Sequence, residues 1–148
     1  MAAYKSLELI RYFRQRDIEV DVILTEGGQQ FITPLSVSSL TGRETYTQLF
    51  SLKDEVEMGH IQLSRKADAI VVAPASADIL AKMATGQCND LATTALLATN
   101  KPVYVAPAMN HRMWHHAATQ RNIKQLEADG VTIIAPEKGA MACGEVGF

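Results

Sequence analysis

Apolar residues recur near the start of the chain at Leu7, Ile10 and Phe13, with Lys5, Glu8, Arg11 and Arg14 off that line. This is helical spacing with one buried stripe, and it predicts a helix over residues 4–16. The period then changes. Ile18, Val20, Val22 and Leu24 alternate with Glu19 and Asp21, the two-residue repeat of a strand over 18–25. Gly27-Gly28 breaks that strand, and 29–40 reads as a short helix interrupted at Pro34. Residues 41–57 hold no sustained period and read as a loop. A short helix over 59–66 places His60 and Leu63 inward. Strand 69–73 and helices 76–85 and 90–98 follow. The next strand, 103–106, stops at Pro107, which has no ladder donor. A helix over 111–129 and a strand over 131–135 complete the pattern, with Gly86 and Gly130 where helices end.

Strands that are continuous apolar runs, alternating with helices, indicate a parallel sheet covered on both faces. Right-handed crossovers then make an α/β fold, a Rossmann-like doubly wound sheet in a three-layer sandwich. Ligands of such folds sit beyond the carboxyl ends of the strands. Thr25, residues 74–78, residues 107–110 and residues 136–143 all fall there.

Composition narrows the function classes. The 148 residues are 47% hydrophobic and 20% charged, the balance of one folded domain. Net charge is −2 with no Lys/Arg cluster, so no nucleic-acid footprint is present. The most apolar stretch, 69–81, is too short to span a bilayer and is interrupted by Pro74, Ser76 and Asp78. No basic start followed by an apolar run marks a signal peptide, so a cytoplasmic protein is expected. Cys88 and Cys143 form no Cys-x-x-Cys, which argues against a disulfide framework or a structural zinc site. His111 and His115 have the i, i+4 spacing of a metal pair, but no third ligand is evident and no metal is expected.

Four places can carry chemistry. Ser76 opens a helix directly after a buried strand; it reads as an N-cap or as part of an anion site at a helix terminus. No Gly-x-Gly-x-x-Gly is present, so a dinucleotide fingerprint is not supported. Asn110 reads as the N-cap of the helix that follows it. His60 is either a structural histidine or a general base, since imidazole titrates near neutrality. Cys143 lies in a Gly-rich tail, where a thiol is accessible and able to give up a proton. Cys88 is taken as structural.

The string Pro-Ala-Met-Asn-His-Arg-Met-Trp at 107–114 resembles the Pro-x-Met-Asn-x-x-Met-Trp motif of the homo-oligomeric flavin-containing cysteine decarboxylases. Two further blocks agree in order, Met58-Gly59-His60-Ile61-Gln62-Leu63 and Ala142-Cys143-Gly144-Glu145. Within that family the likeness is to the branch acting on 4′-phosphopantothenoylcysteine in coenzyme A synthesis. The resemblance implies flavin mononucleotide (FMN) as cofactor, held by Thr25, Phe31, Ser76, Ala77, Asp78 and Met109. It implies catalytic roles for His60 as base, Asn110 on the substrate carboxylate and Cys143 as final proton donor. Met113, Ala142 and Gly144, with Asn110, would contact substrate. A homotrimer or a dodecamer of trimers is implied as well, with no nucleic acid or membrane partner. Alternatives on the same fold are a non-catalytic flavin-binding regulator and a decarboxylase of another peptidyl-cysteine. The family begins with a strand and a Gly-Ser-Ile loop before Ala-Ala-Tyr-Lys, and its tail runs past the Ala-Cys-Gly-Glu block. The 148 residues are therefore expected to be one decarboxylase domain truncated at both ends.

Overall fold

The computed structural model describes residues 4–47 and 62–136, together with the backbone of 139–140 and 146–147. The elements in order are α1 (Lys5–Gln15), β1 (Val22–Ile23), a 3-10 turn (Gly28–Gln30), α2 (Pro34–Thr41), β2 (Thr45–Tyr46) and a helical segment α3 at 62–66. Then follow β3 (Ile70–Ala75), α4 (Ala77–Thr85), α5 (Leu91–Ala98), β4 (Val103–Pro107), α6 (His111–His115), α7 (Ala117–Ala128), β5 (Thr132–Ile133), β6 (Gly139–Ala140) and β7 (Val146–Gly147).

The fold is α/β with parallel strands. β3, β4 and β5 form one parallel sheet in that order, with Val72 opposite Val105 and Val105 opposite Ile133. β1 and β2 form a second parallel pair, Val22 opposite Thr45. Two cores result. Ala75, Leu80, Val105, Ile123 and Leu126 close the space between the three-stranded sheet and α4 and α7. Ile10, Leu24, Ile32 and Val37 join α1, β1 and α2.

Several boundaries differ from the periodicity, each for a local reason. The first strand begins at Val22 rather than Ile18, because the Ile18 N–H is bonded to the Phe13 carbonyl at 3.0 Å and closes the end of α1. Pro34 does not interrupt a helix; it starts one, at the first turn, where its missing N–H costs nothing. Thr33 caps that helix, accepting from the Ser36 N–H at 3.0 Å. Thr45–Tyr46, expected as loop, is a strand because the carbonyl of Tyr46 accepts from the Leu24 N–H at 2.8 Å. The single helix expected over 111–129 is two, broken at His116. Its backbone is extended there (φ −61°, ψ 138°), and its Nδ1 accepts from the Ala118 N–H at 3.0 Å, capping α7.

Arg43 ties β1 and β2 from outside, reaching Glu19 at 2.9 Å and Asp21 at 3.2 Å. The hydrogen bond and charge of Asp21, with the charge of Glu19, raise the guanidinium pKa further above its ordinary value. Solvent screens such a pair, so its role is to set geometry more than to add stability. Among the described residues no helix is long and apolar enough to cross a membrane.

Candidate active site

Two prolines set the geometry of the rim. β3 does not end before Pro74: it continues to Ala75 through a bulge in which Ala73 and Pro74 face Ala106 alone. β4 likewise runs through Pro107, which pairs with Ala75. The Ala108 N–H then donates to the Ala75 carbonyl at 2.9 Å, the last rung of the ladder. This rung holds the Ser76–Ala77–Asp78 and Ala108–Met109–Asn110 segments beside each other, each leaving its strand to open a helix.

Ser76 caps α4, its Oγ accepting from the Ile79 N–H at 3.2 Å. Ala77 and Asp78 lie in the first helical turn, whose N–H groups have no intrahelical acceptor, so the end carries partial positive charge. Asp78 is exposed and pairs with Lys82 at 3.1 Å.

Asn110 caps α6. Its Oδ1 accepts from the Met113 N–H at 2.9 Å, and only the amide oxygen can do so. What remains on offer is therefore Nδ2–H, a donor suited to a carboxylate. Cap and ligand roles use different atoms of one side chain. Met109 packs against the core beneath, and Trp114 does likewise. Met113 is exposed at 43%.

Thr25 and Phe31 lie beyond the end of β1, in the half built around the second core. The Thr25 Oγ1 accepts from the Gly28 N–H at 3.1 Å, which leaves its hydroxyl proton free to donate. A Cβ on Gly28 would lie 2.8 Å from Leu24 Cδ1, so the turn needs glycine for close approach. Phe31 is 60% exposed in the turn that follows β1.

His60, Ala142, Cys143 and Gly144 lie outside the described residues, so the structure brings together Ser76, Ala77, Asp78, Met109, Asn110 and Met113 of the expected set. Cys88 is exposed in the connection between α4 and α5, against the expectation of a structural thiol. The His111 and His115 rings meet edge to face at 4.5 Å. His111 Nδ1 is buried with no hydrogen-bond partner among the described residues. Arg112 and Thr119, not singled out in the sequence, and His116, expected on a solvated face, line a hollow of about 210 Å³ with Ala77 and Met113.

The fit to a flavin nucleotide is chemically sound. The first-turn Ala77 and Asp78 N–H groups that Ser76 leaves uncapped, with hydroxyl donors, suit a phosphate, and an exposed aromatic side chain suits a ring system. The coenzyme A biosynthesis bifunctional protein CoaBC of Haemophilus influenzae is 45% identical over 147 residues, 99% of this chain. The chain spans 37% of that protein's length. A PPC decarboxylase mutant complexed with pantothenoylaminoethenethiol matches with TM-score 0.83 and 33% identity, covering 99% of this chain and 82% of that one. The FMN binding protein AtHal3 matches with TM-score 0.79 and 34% identity, covering 99% and 80%. The family model described as Flavoprotein matches residues 1–148. Its parallel strands and its whole length thus agree on one ancestry, and the chain belongs to the Flavoprotein family.

Proposed function

We propose that this chain is an FMN-dependent decarboxylase that converts 4′-phosphopantothenoylcysteine to 4′-phosphopantetheine, a step of coenzyme A biosynthesis. The observation that carries the reading is the Ala75–Pro107 rung, which sets the α4 terminus beside the Asn110 amide. The relatives support it: a CoaBC protein at 45% identity and a PPC decarboxylase structure at TM-score 0.83.

A cysteine-derived carboxylate cannot lose CO2 without a place for the electron pair. FMN, when bound, supplies the two-electron oxidation that creates that place on the sulfur-bearing carbon and the reduction that ends the cycle. The protein does the rest. Ser76 and the first turn of α4 hold the nucleotide. Asn110 Nδ2–H orients the substrate carboxylate, His60 takes a proton in the oxidative half, and Cys143 delivers the last proton to carbon. The roles of His60 and Cys143 rest on the motif blocks around them.

The active form on this reading is a cytoplasmic homo-oligomer, a trimer or a dodecamer of trimers. The exposed apolar side chains of Phe31 and Leu35 support an assembly. The visible absorption spectrum of purified protein, before and after adding phosphopantothenoylcysteine, tests the activity together with mass spectrometry of the product. Flavin absorbance with formation of 4′-phosphopantetheine is expected. A yellow protein that leaves this substrate intact would overturn the reading; turnover of a peptide ending in cysteine instead would move it to the other branch of the family.

A further inference from the structure

The helix that Asn110 opens, α6, is five residues long, little more than one turn. Isolated helices shorter than about 12–15 residues are marginal in water, so α6 keeps its place through ties made outside its own ladder. At its start those ties are the Asn110 cap and the packing of Met109 and Trp114 on the core. At its end the backbone offers little. The chain turns extended at His116, whose N–H reaches the Met113 carbonyl only at 3.4 Å. The Ala118 N–H is taken by His116 Nδ1 at 3.0 Å, and the Gln120 N–H by the His116 carbonyl at 3.0 Å. A carbonyl at the end of α6 therefore calls for a side-chain donor.

Gln120 supplies it. From the first turn of α7 its Nε2 donates to the Trp114 carbonyl at 2.6 Å, in a half-buried bond. Only the amide nitrogen can donate, so this partner fixes which way the side chain is turned. The Trp114 N–H donates in turn to the Asn110 carbonyl at 3.0 Å. Two hydrogen bonds thus lead from Gln120 through Trp114 to Asn110, along the length of α6. The far side of the tie is firm, because Ile123 and Leu126 bury α7 in the core. At the near side the Asn110 oxygen is held by the Met113 N–H, so the aim of Nδ2–H follows the placement of the helix.

We propose that Gln120 is a positioning residue for the Asn110 amide, anchoring α6 to α7 so that Nδ2–H stays aimed at the substrate carboxylate; the identity of the group held rests on the decarboxylase reading. Gln120 acts through Trp114 and takes no part in the chemistry itself. Its contribution is orientation, to which rates are sensitive: a misplacement of about 1 Å can cost about 100-fold.

Trp114 is the sole tryptophan of the chain, so its fluorescence reports on α6 directly. FMN-loaded wild type, Gln120→Met and Gln120→Lys are compared, each alone and with Asn110→Asp. Methionine keeps the length of the side chain and removes the donor; lysine keeps a donor of a kind suited to a helix C-terminus. Gln120→Met is expected to shift Trp114 emission to the red and to strengthen its quenching by acrylamide. It should lower kcat/KM per bound FMN roughly 10-fold, a partial loss of alignment. Affinity for 4′-phosphopantetheine, which has no carboxylate, should hold. With Asn110→Asp present, Gln120→Met should cost less than about 2-fold, because the donor it aims is already gone. Gln120→Lys should recover most of the rate and of the emission. Unchanged Trp114 emission in Gln120→Met would overturn the proposal. So would a full 10-fold loss in the Asn110→Asp background, or an equal loss of 4′-phosphopantetheine affinity, which would mark a general structural role. A wild type that releases no CO2, with the emission change intact, would count against the decarboxylase reading alone and still support the tie from Gln120 to α6.

Discussion

The Asn110 amide has its oxygen committed to the Met113 N–H at 2.9 Å, which allows its two roles to be separated by substitution. Asn110→Asp keeps a capping oxygen and removes the Nδ2–H donor. Thermal stability should be nearly unchanged while kcat/KM falls about 100-fold, within the usual cost of a lost polar contact to a charged substrate group. Asn110→Ala should add a stability loss of about 1 kcal/mol, the value of an N-cap, read by chemical denaturation. If the Asp variant turns over normally, Asn110 is a cap and nothing more. A second test concerns the proton donor. Cys143→Ser should still release CO2, with mass spectrometry detecting an enethiol two hydrogens short of 4′-phosphopantetheine. At this scale the sequence was a good guide to helix starts: Ser76, Asp90 and Asn110 each accept a first-turn N–H through the side chain. It did not separate cap from ligand at Asn110, because both uses call for the same residue type.

At the scale of elements, junctions decide the shape of the rim. Gly28 turns the chain away from β1 so closely that an added Cβ would meet Leu24, a buried core residue, at 2.8 Å. Gly28→Ala should therefore destabilise the protein by about 1–3 kcal/mol through overpacking, seen as a lower denaturation midpoint. His116 separates α6 from α7. His116→Ala removes the Nδ1 cap and should cost about 0.5–2 kcal/mol, largely restored by His116→Asn. The break at His116 was not legible from periodicity, since neither proline nor glycine marks it and apolar spacing continues across. β2 was missed for a related reason: a two-residue strand has no period of its own, and only its partner β1 defines it.

At the scale of the molecule, β4 is central to the three-stranded sheet, and its Val105 is fully buried against α4 and α7. Leu126, on α7 in the same core, is 2% exposed; Leu126→Ala should cost about 2–5 kcal/mol and narrow the temperature range over which flavin absorbance is retained. The strand-helix alternation and the parallel arrangement were legible in the sequence as unbroken apolar runs such as Val103–Pro107, but cover on both faces was not met among the described residues, where the paired Val71 and Tyr104 are 42% and 36% exposed. Also legible was the position of Ser76 and Asn110 just beyond the carboxyl ends of β3 and β4.

What the sequence determined by itself was local: which stretches are helical, the caps at Ser76 and Asn110, and which short blocks carry the family's likeness. What only the tertiary structure decided was adjacency. The bulge at Ala73-Pro74 and the extension of β4 through Pro107 place Ala75 opposite Pro107, some 30 residues apart in the chain, and so bring the Ser76 and Asn110 termini together. A register between two strands depends on hydrogen bonds between distant residues, and no pattern within either strand encodes it.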